Sequence, residues 1–351
     1  MTDAGPVGSP RRRPPRWSPA RGRPVTEDAA VLTLVVNPSA GLGRARKLLP
    51  KVVTELVTSL PGVDVRVHLA ANFAEAAAHC RRAVAAARPG EGDRRPDALL
   101  VMGGDGMMHL GADACAGTPV PLGLIPAGTG NDSCRGLGLP PANPVAAARL
   151  VVRGATRRID LASVRGCLVD RGATGKSLEH VVSVVSTGFD ALVNLRANRT
   201  SFPRGRLRYA WSATVQLAQF EPLPYRLVID GERRDVPAIL VAVGNAGYVG
   251  GGMAICPDAD VTDGLLDLTI VHPVSRGTFI RLLPALFTGA FVRDPAVEQL
   301  RAREVVIDGD GLYGMADGDE LGPVPLTVTA VPDALTIFTP APRALSGRHR
   351  R

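Results

Sequence analysis

Between residues 31 and 139, short apolar runs alternate with longer segments whose apolar residues recur at helical spacing. This alternation predicts β/α units arranged around a parallel sheet. The predicted strands are residues 31–36, 63–69 and 98–102, and the predicted helices are residues 43–60 and 74–87.

After about Arg158 the pattern changes to short apolar strands separated by turns, which predicts a mostly antiparallel β domain. Two helical segments, residues 207–220 and 278–291, interrupt this domain. The predicted strands are residues 159–164, 181–186, 225–229, 238–243, 265–271, 304–308 and 326–330.

The chain is therefore divided into an α/β domain over residues 29–158 and a β domain over residues 159–340. A length of 351 residues is enough for two domains that each bury a core. The division leaves open that the last strand returns to the first domain. Residues 1–28 and 341–351 are predicted to be basic tails outside both domains.

The formal net charge of +8 lies almost entirely in these two tails, which account for +7 of it. The body is left near neutral and has no basic stripe with interleaved aromatic residues, so we expect no nucleic-acid partner. The Pro- and Arg-rich first 28 residues are predicted to be disordered. They are either a solvated leader or a tether to anionic lipid headgroups.

No signal-peptide core follows the N-terminal arginines, and no apolar run reaches the length of about 20 residues that a spanning helix needs. We therefore expect a cytoplasmic protein that is at most peripheral to the inner face of the membrane. The five cysteines are scattered and form no CxxC pair, which indicates reduced thiols rather than disulfides or a zinc site. A homodimer is left open.

Three glycine-containing loops follow predicted strands of the first domain. The first, Asn37 to Gly43, reads NPSAGLG, and the second, Gly103 to Gly106, reads GGDG. Glycine lets a backbone approach an anion, and a following helix offers unpaired N–H groups to a phosphate. Taken singly, the first loop is equally consistent with an ordinary tight turn.

Asp105 is informative because a carboxylate repels phosphate unless it engages a metal or an acceptor hydroxyl. The alternative is a structural Asp that caps the next helix. The third loop, PAGTGNDS, ends with Ser133; in it Thr129 and Asn131 can donate hydrogen bonds to phosphate or ribose, and Asp132 can cap the following helix. Three such loops at one edge of a sheet indicate a nucleotide site.

The order NPxxGxG, GGDG, PxGTxND resembles the diacylglycerol kinase catalytic domain family, which includes bacterial diacylglycerol kinases and sphingosine kinases. The resemblance covers about residues 31–338. It implies a phosphofructokinase-like ATP-binding domain, a β-sandwich domain with the lipid site, and chemistry in the cleft between them. The implied contacts to ATP are Asn37, Pro38, Ser39, Ala40, Gly41, His68, Gly103, Gly104, Asp105, Gly106, Gly128, Thr129, Asn131 and Asp132.

The C-terminal half carries two further matches. The segment PDADVTDGLL is similar to a family segment that holds a structural Mg²⁺, which implies Asp260, Asp263 and Leu265 as ligands; clustered oxygen ligands suit this cation. A solvated Asp-Gly turn is the alternative. The segment from Met315 to Glu320 lies where the family has DGE, whose acidic residue is the implied base for the lipid hydroxyl.

This chain has DGDE at that place, so Asp319 occupies the family's Glu position and Glu320 comes one residue later. The implied catalytic residues are Asp105, Asp317, Asp319 and Glu320. Met107 replaces the Thr that usually follows GGDG, and His109 is expected to be a polar helix residue. His68, with its neighbours Ala70 and Ala71, stands where the family often offers a Thr to the nucleotide.

The resulting hypothesis is an ATP- and Mg²⁺-dependent kinase of a diacylglycerol-like or sphingoid lipid. The acyl chains of this lipid are expected to contact the C-terminal domain near residues 278–292. An NAD kinase is the nearest alternative, because that related fold also uses a GGDG loop. A catalytically silent lipid- or nucleotide-binding protein is the alternative from another class.

Overall fold

The computed structural model describes residues 28–169, 178–188, 221–317 and 319–340. The two predicted tails, apart from Asp28, and the predicted helix at residues 207–220 lie outside the described residues. None of the described helices is both long enough and apolar enough to cross a bilayer.

The described residues form a ten-stranded sheet whose N-terminal part is parallel, in the order β2–β1–β3–β4. Strands β3 and β4 are buried along their whole length, as expected for central parallel strands covered on both faces. The four strands are β1 (Val31–Val36), β2 (Asp64–Leu69), β3 (Ala98–Gly103) and β4 (Leu122–Pro126).

Helices follow these strands. Asn72 caps α2, because its side-chain oxygen accepts from the N–H of Glu75 at 2.9 Å, while the Glu75 carboxylate accepts from the N–H of Ala71 at 2.7 Å. Helix α3 begins two residues after the end of β3 and α4 six residues after the end of β4, so both N-termini lie at the carboxyl edge of the sheet. The helices are α1 (Ala40–Ser59), α2 (Phe73–Ala85), α3 (Asp105–Cys115), α4 (Asp132–Gly136) and α5 (Pro144–Arg153).

The last strand, β18 (Leu326–Phe338), connects the two halves of the ten-stranded sheet. Near its end Ile337 pairs in parallel with Leu122 of β4, and β18 also pairs with β5 along most of its length. The remaining strands of this sheet pair antiparallel. They are β5 (Thr156–Gly166), β6 (Leu178–Val181), β8 (Leu223–Ile229), β9 (Glu232–Ala238) and β15 (Glu304–Asp308).

A second, antiparallel sheet packs on this part, and their apolar faces share one core. Its order is β14–β13–β10–β7–β16–β17. These strands are β7 (Val184–Gly188), β10 (Leu240–Gly244), β13 (Leu266–Val271), β14 (Val297–Ala302), β16 (Tyr313–Ala316) and β17 (Asp319–Pro323). The predicted fold class, a parallel α/β domain followed by an antiparallel β sandwich, is confirmed.

A two-stranded hairpin and one helix lie outside both sheets in the described C-terminal part. The hairpin consists of β11 (Tyr248–Val249) and β12 (Met253–Ala254), and the helix is α6 (Arg276–Leu286). The helix ends before the predicted limit of residue 291, because Gly289 adopts a φ of +72° and a short 3₁₀ helix, Ala290–Arg293, follows.

Two predicted strands are each divided in the structure. Residues 181–186 contain the end of β6 and the start of β7, and residues 238–243 contain the end of β9 and most of β10. In both cases the chain passes from one sheet to the other, so an apolar run continues while the strand does not. Strands β9, β14 and β17 were not predicted, because they lie at sheet edges and carry charged residues. Strands β11, β12 and β16 were not predicted either, since runs of two to four residues are too short to show a period.

Candidate active site

The three glycine loops meet at the carboxyl edge of the parallel sheet. The Asn37 N–H donates to the carbonyl of Met102 at 3.0 Å, which joins the first loop to the end of β3, directly before the second loop. The N–H groups of Ala127 and Gly128 donate to the carbonyl of Gly103 at 2.7 and 3.0 Å, which joins the second loop to the third. Backbone hydrogen bonds therefore hold all three loops together.

The loops approach one another so closely that side chains would not fit between them. A Cβ atom on Gly41, whose φ is +60°, would lie 2.2 Å from the carbonyl oxygen of Ala127. One on Gly128 would lie 2.4 Å from the Cα of Gly104. Because bare backbone is required at these positions, the loops form a cradle of the kind that binds phosphate groups.

The cradle forms one wall of a cleft with a volume of about 590 Å³. Two acidic residues of the C-terminal domain, Asp317 and Asp319, and residues at the start of α2 also line this cleft. The cleft brings together most of the sequence-predicted site residues: Asn37, Ser39, Ala40, Gly41, Gly104, Asp105, Gly106, Gly128, Thr129, Asp317 and Asp319.

Asp319 lies directly against the second glycine loop, although it comes from the other domain. Its Oδ2 would be 3.1 Å from a Cβ atom on Gly106. Glu320, the next residue of β17, is not among the residues that line the cleft, as expected where successive side chains of a strand alternate between faces. The structure therefore brings Asp319 to the cleft and does not bring Glu320 there.

Asp105 is the first residue of α3, but its carboxylate accepts hydrogen bonds from the first turn of α4. Oδ1 accepts hydrogen bonds from the backbone N–H and the hydroxyl of Ser133, at 3.0 and 3.2 Å. Burial, together with the negative charges of Asp132 and Asp317, outweighs these hydrogen bonds and raises the pKa of Asp105 to about 7. Carboxylates that repel one another in this way form an environment suited to a cation.

Asn131 and Asp132 bind protein groups. The Asn131 side-chain oxygen accepts from the N–H of Gly128 at 3.0 Å, and its amide nitrogen donates to the carbonyls of Gly128 and Pro141 at 3.1 and 2.8 Å. Asp132 forms an ion pair with Arg135 and accepts from the N–H of Gly251 at 2.6 Å. Both residues therefore fix the third loop, and their predicted contacts to the nucleotide stay predictions.

The other predicted nucleotide contacts are distributed as follows. Pro38 lies in the turn of the first loop, and Gly103 ends β3 beneath the cradle. His68 lies outside the cleft and lines a separate cavity of about 560 Å³, where its ring is 4.4 Å from that of His79. Ala70 and Ala71 line the cleft instead. The difference follows from the end of β2 at Leu69: His68 still belongs to the strand, whereas Ala70 and Ala71 follow it at the carboxyl edge of the sheet.

Two further residues of helix α3, Met107 and His109, have buried side chains. The Met107 side chain is buried and packs against Gly103, since a Cβ there would be 2.4 Å from its Cγ. His109, expected to be an ordinary polar helix residue, is instead fully buried between Asp317 and Glu179. The sequence signal that could have identified it is its spacing of four residues from Asp105, which places both side chains on one helix face.

The predicted structural Mg²⁺ ligands lie together in the turn before β13. Asp260 Oδ1 accepts from the N–H and the hydroxyl of Thr262, at 3.0 and 2.7 Å, and Asp263 Oδ1 accepts from the N–H of Leu265 at 3.0 Å. The other oxygen of Asp263 lies 3.5 Å from Arg301, a cation already present at this turn. The metal role of this turn stays a prediction.

Comparison with known proteins gives the same architecture in the same order. Residues 31–164 match the family model described as the diacylglycerol kinase catalytic domain. Residues 183–339 match the model described as the YegS C-terminal NAD kinase beta sandwich-like domain. The fold and these two matches define the chain as a two-domain lipid kinase.

The chain belongs to the diacylglycerol kinase family. It is 41% identical over 310 residues to a protein named diacylglycerol kinase from Mycobacterium tuberculosis, and the aligned region covers 88% of this chain and 95% of that protein. It is 26% identical over 292 residues to a diacylglycerol kinase from Bacillus subtilis, covering 80% of this chain and 89% of that protein. A crystal structure of a diacylglycerol kinase from Bacillus anthracis shares the fold with a TM-score of 0.63 at 21% identity, covering 90% and 98% of the two chains.

Proposed function

We propose that the protein transfers the γ-phosphoryl group of ATP to the hydroxyl of a diacylglycerol-like lipid. The observation that carries this function is the contact of Asp319 with Gly106, because it places a carboxylate of the sandwich domain at the phosphate cradle of the α/β domain. The name of the Mycobacterium tuberculosis relative supports the choice of acceptor.

The nucleotide is expected to lie along the three glycine loops. Their backbone N–H groups, and the hydroxyl of Thr129, supply donors to the triphosphate without adding bulk. Phosphoryl transfer depends mainly on positioning and on neutralisation of charge, which a rigid backbone cradle provides before the reaction begins.

Asp319 is the proposed general base. It accepts the proton of the lipid hydroxyl while that oxygen forms a bond to the γ-phosphorus and the bond from this phosphorus to the bridging oxygen of ADP breaks. Asp319 is preferred over Glu320 because it lines the cleft, whereas Glu320 does not. Both domains of one chain line the cleft, so this chemistry requires no second copy.

A Mg²⁺ ion fits the acidic side of the cleft. Burial and the charges of Asp132 and Asp317 raise the pKa of Asp105, and a bound cation would relieve this repulsion. Among the described residues no group of three or more His, Cys, Asp or Glu side chains forms a complete metal site. Mg²⁺ characteristically combines one or two carboxylates with phosphate oxygens, so Asp105 would hold it together with ATP, and it would neutralise the developing charge.

The acyl chains of the acceptor are proposed to contact helix α6. Phe279 of this helix packs into the core, while Ile280 and Phe287, the residue that directly follows the helix, are 51% and 60% exposed. Arg276 and Arg281 are also exposed on the helix, and basic side chains near an apolar surface favour contact with anionic lipid. We therefore also propose peripheral contact with a membrane at α6.

Incubation of the purified protein with radiolabelled ATP, Mg²⁺ and either diacylglycerol in mixed micelles or NAD tests the function. We expect labelled phospholipid and no labelled NADP. Product from NAD alone would instead show an NAD kinase. The Asp105→Asn variant tests the catalytically silent alternative: an equal, background rate in the wild type and this variant, with ATP still bound, would contradict the proposed function.

A further inference from the structure

Helix α3 contacts two acidic residues of the other domain, Asp317 and the proposed base Asp319. Gly106 in its first turn lies against Asp319, and His109, about 4.5 Å further along the helix axis, lies against Asp317. Asp317 directly follows β16, which ends at Ala316, and Asp319 begins β17. The same helix therefore touches both sides of the turn that carries the proposed base.

His109 is enclosed by acidic groups. Its side chain is only 1% exposed, its Nδ1 lies 3.4 Å from Asp317 Oδ2, and its Nε2 forms an ion pair with Glu179 of β6. Burial opposes the charged form of the imidazole. The hydrogen bonds and charges of Asp317 and Glu179 outweigh burial and raise the pKa of His109 above its ordinary value.

Asp317 is held from a second direction as well. Its Oδ1 accepts from the backbone N–H of Ser183, in the link between β6 and β7, at 3.2 Å. The backbone of Asp317 has a φ of +50°, a left-handed conformation that a non-glycine residue adopts at a cost. Contacts on both carboxylate oxygens stabilise this conformation of Asp317, and Asp319 begins β17 two residues further along the chain.

We infer, on the basis of the function proposed above, that His109 is a positioning residue for phosphoryl transfer. Its imidazolium, balanced by Glu179, anchors Asp317 and thereby fixes Asp319 at the phosphate cradle. His109 itself does not touch the reacting atoms. Its effect on the reaction is transmitted through the Asp317 turn.

A neighbouring pair provides a matched control. His180 of β6 lies 3.3 Å from Asp113 of α3 through its Nδ1, so it joins the same two elements as the pair of His109 and Glu179. His180 points to the other face of β6, and its side chain is partly exposed. Loss of either histidine removes a contact between α3 and β6, but only loss of His109 removes a contact to Asp317.

The experiment measures kcat and the acceptor KM together with binding of a non-hydrolysable ATP analogue, in His109→Ala and His180→Ala. We expect kcat of His109→Ala to fall by about 10²-fold, since a displacement of about 1 Å at a reacting group costs this much, while nucleotide affinity stays near that of the wild type. His180→Ala should retain kcat. His109→Gln, which keeps a side-chain donor, should recover part of the loss.

A double variant decides how the effect is transmitted. If His109 acts through Asp317, the combination of His109→Ala with Asp317→Asn lowers kcat no further than the more damaging single change. Additive losses would overturn the inference, as would an unchanged kcat in both His109 variants. Should His109→Ala not fold, His109→Gln and the double variant built on it give the same comparison. A wild type without lipid kinase turnover would overturn the proposed function itself.

Discussion

Ser133 donates hydrogen bonds from both its backbone N–H and its hydroxyl to a single oxygen of Asp105, at 3.0 and 3.2 Å. Residues from two different glycine loops are thereby fixed to each other at the floor of the cleft. The second Asp105 oxygen lies near Gly130, since a Cβ there would be 2.9 Å from it. Asp105 thus has a structural partner on one oxygen, while the other faces the third loop.

The raised pKa of Asp105 predicts how stability depends on pH. The folded protein holds a proton on this carboxyl up to about pH 7, whereas the unfolded chain releases it near the ordinary value of 3.8. Between these values the folded state binds more protons, so this residue lowers the free energy of unfolding as pH rises. Asp105→Asn keeps an acceptor for Ser133 and removes this titration.

Thermal unfolding in the presence of a chelator checks this prediction. We expect the Tm of Asp105→Asn to exceed that of the wild type at pH 8 and the difference to shrink towards pH 5. A parallel dependence of the two proteins on pH would contradict it. Exposed Asp310, changed to Asn, serves as a control whose Tm difference should not vary in this way.

The close contact of Gly128 with Gly104 predicts that a methyl group is not tolerated there. Gly128→Ala would place Cβ 2.4 Å from the Gly104 Cα and force the second and third loops apart. We expect a loss of about 1–3 kcal/mol in the free energy of unfolding and a higher KM for ATP. Gly277→Ala in α6 is the control, since its Cβ would lie 3.8 Å from the nearest atom and nucleotide binding should not change. Equal effects of the two changes would be inconsistent with the cradle.

Asp319 lines the cleft and Glu320 does not, which predicts different effects of removing each carboxylate. We expect Asp319→Asn to lower kcat by about 10²- to 10⁴-fold, because it removes the proposed base, while Glu320→Gln retains most of the activity. Steady-state kinetics with saturating ATP and a diacylglycerol in micelles measure both. The reverse order of effects would transfer the role to Glu320.

The exposed apolar residues Ile280 in α6 and Phe287 directly after it predict a loss of membrane binding when they become polar. Phe287→Ser combined with Ile280→Ser should reduce co-sedimentation with vesicles that contain anionic lipid, with little change in turnover of a short-chain, dispersed acceptor. Leu69→Ser, an exposed apolar residue on β2, should bind vesicles like the wild type. Undiminished sedimentation of the α6 variant would exclude this surface as the membrane contact.

Local patterns were sufficient for much of the fold. Strands β1 and β15 have the predicted bounds, because each is a short β-branched run bounded by turn residues. The glycine loops were also identified, since strand, glycine and helix follow one another directly in the chain. The edge strands β9 and β14 were missed, because charged side chains facing solvent hide their period.

In the site, too, local patterns predicted some features and missed others. The sequence placed Asn37, Asp105 and Thr129 at one edge of a sheet, because parallel strands joined by helices end on the same side. It could not show that His109 is buried against Asp317, since 208 residues separate the two partners. Nor could it assign the Asn131 amide to its own loop, because that depends on how the third loop folds back on Pro141.

What the sequence determined by itself is therefore the set of elements and loops whose causes are local: periodicity, glycine positions and helix starts. Only the tertiary structure decided which of two adjacent acidic residues lines the cleft, and that His109 is buried against Asp317 of the other domain. The physical reason is that these outcomes depend on the packing of one domain against the other. That packing is fixed by the pairing of β18 with β4 and β5, between segments far apart in the chain.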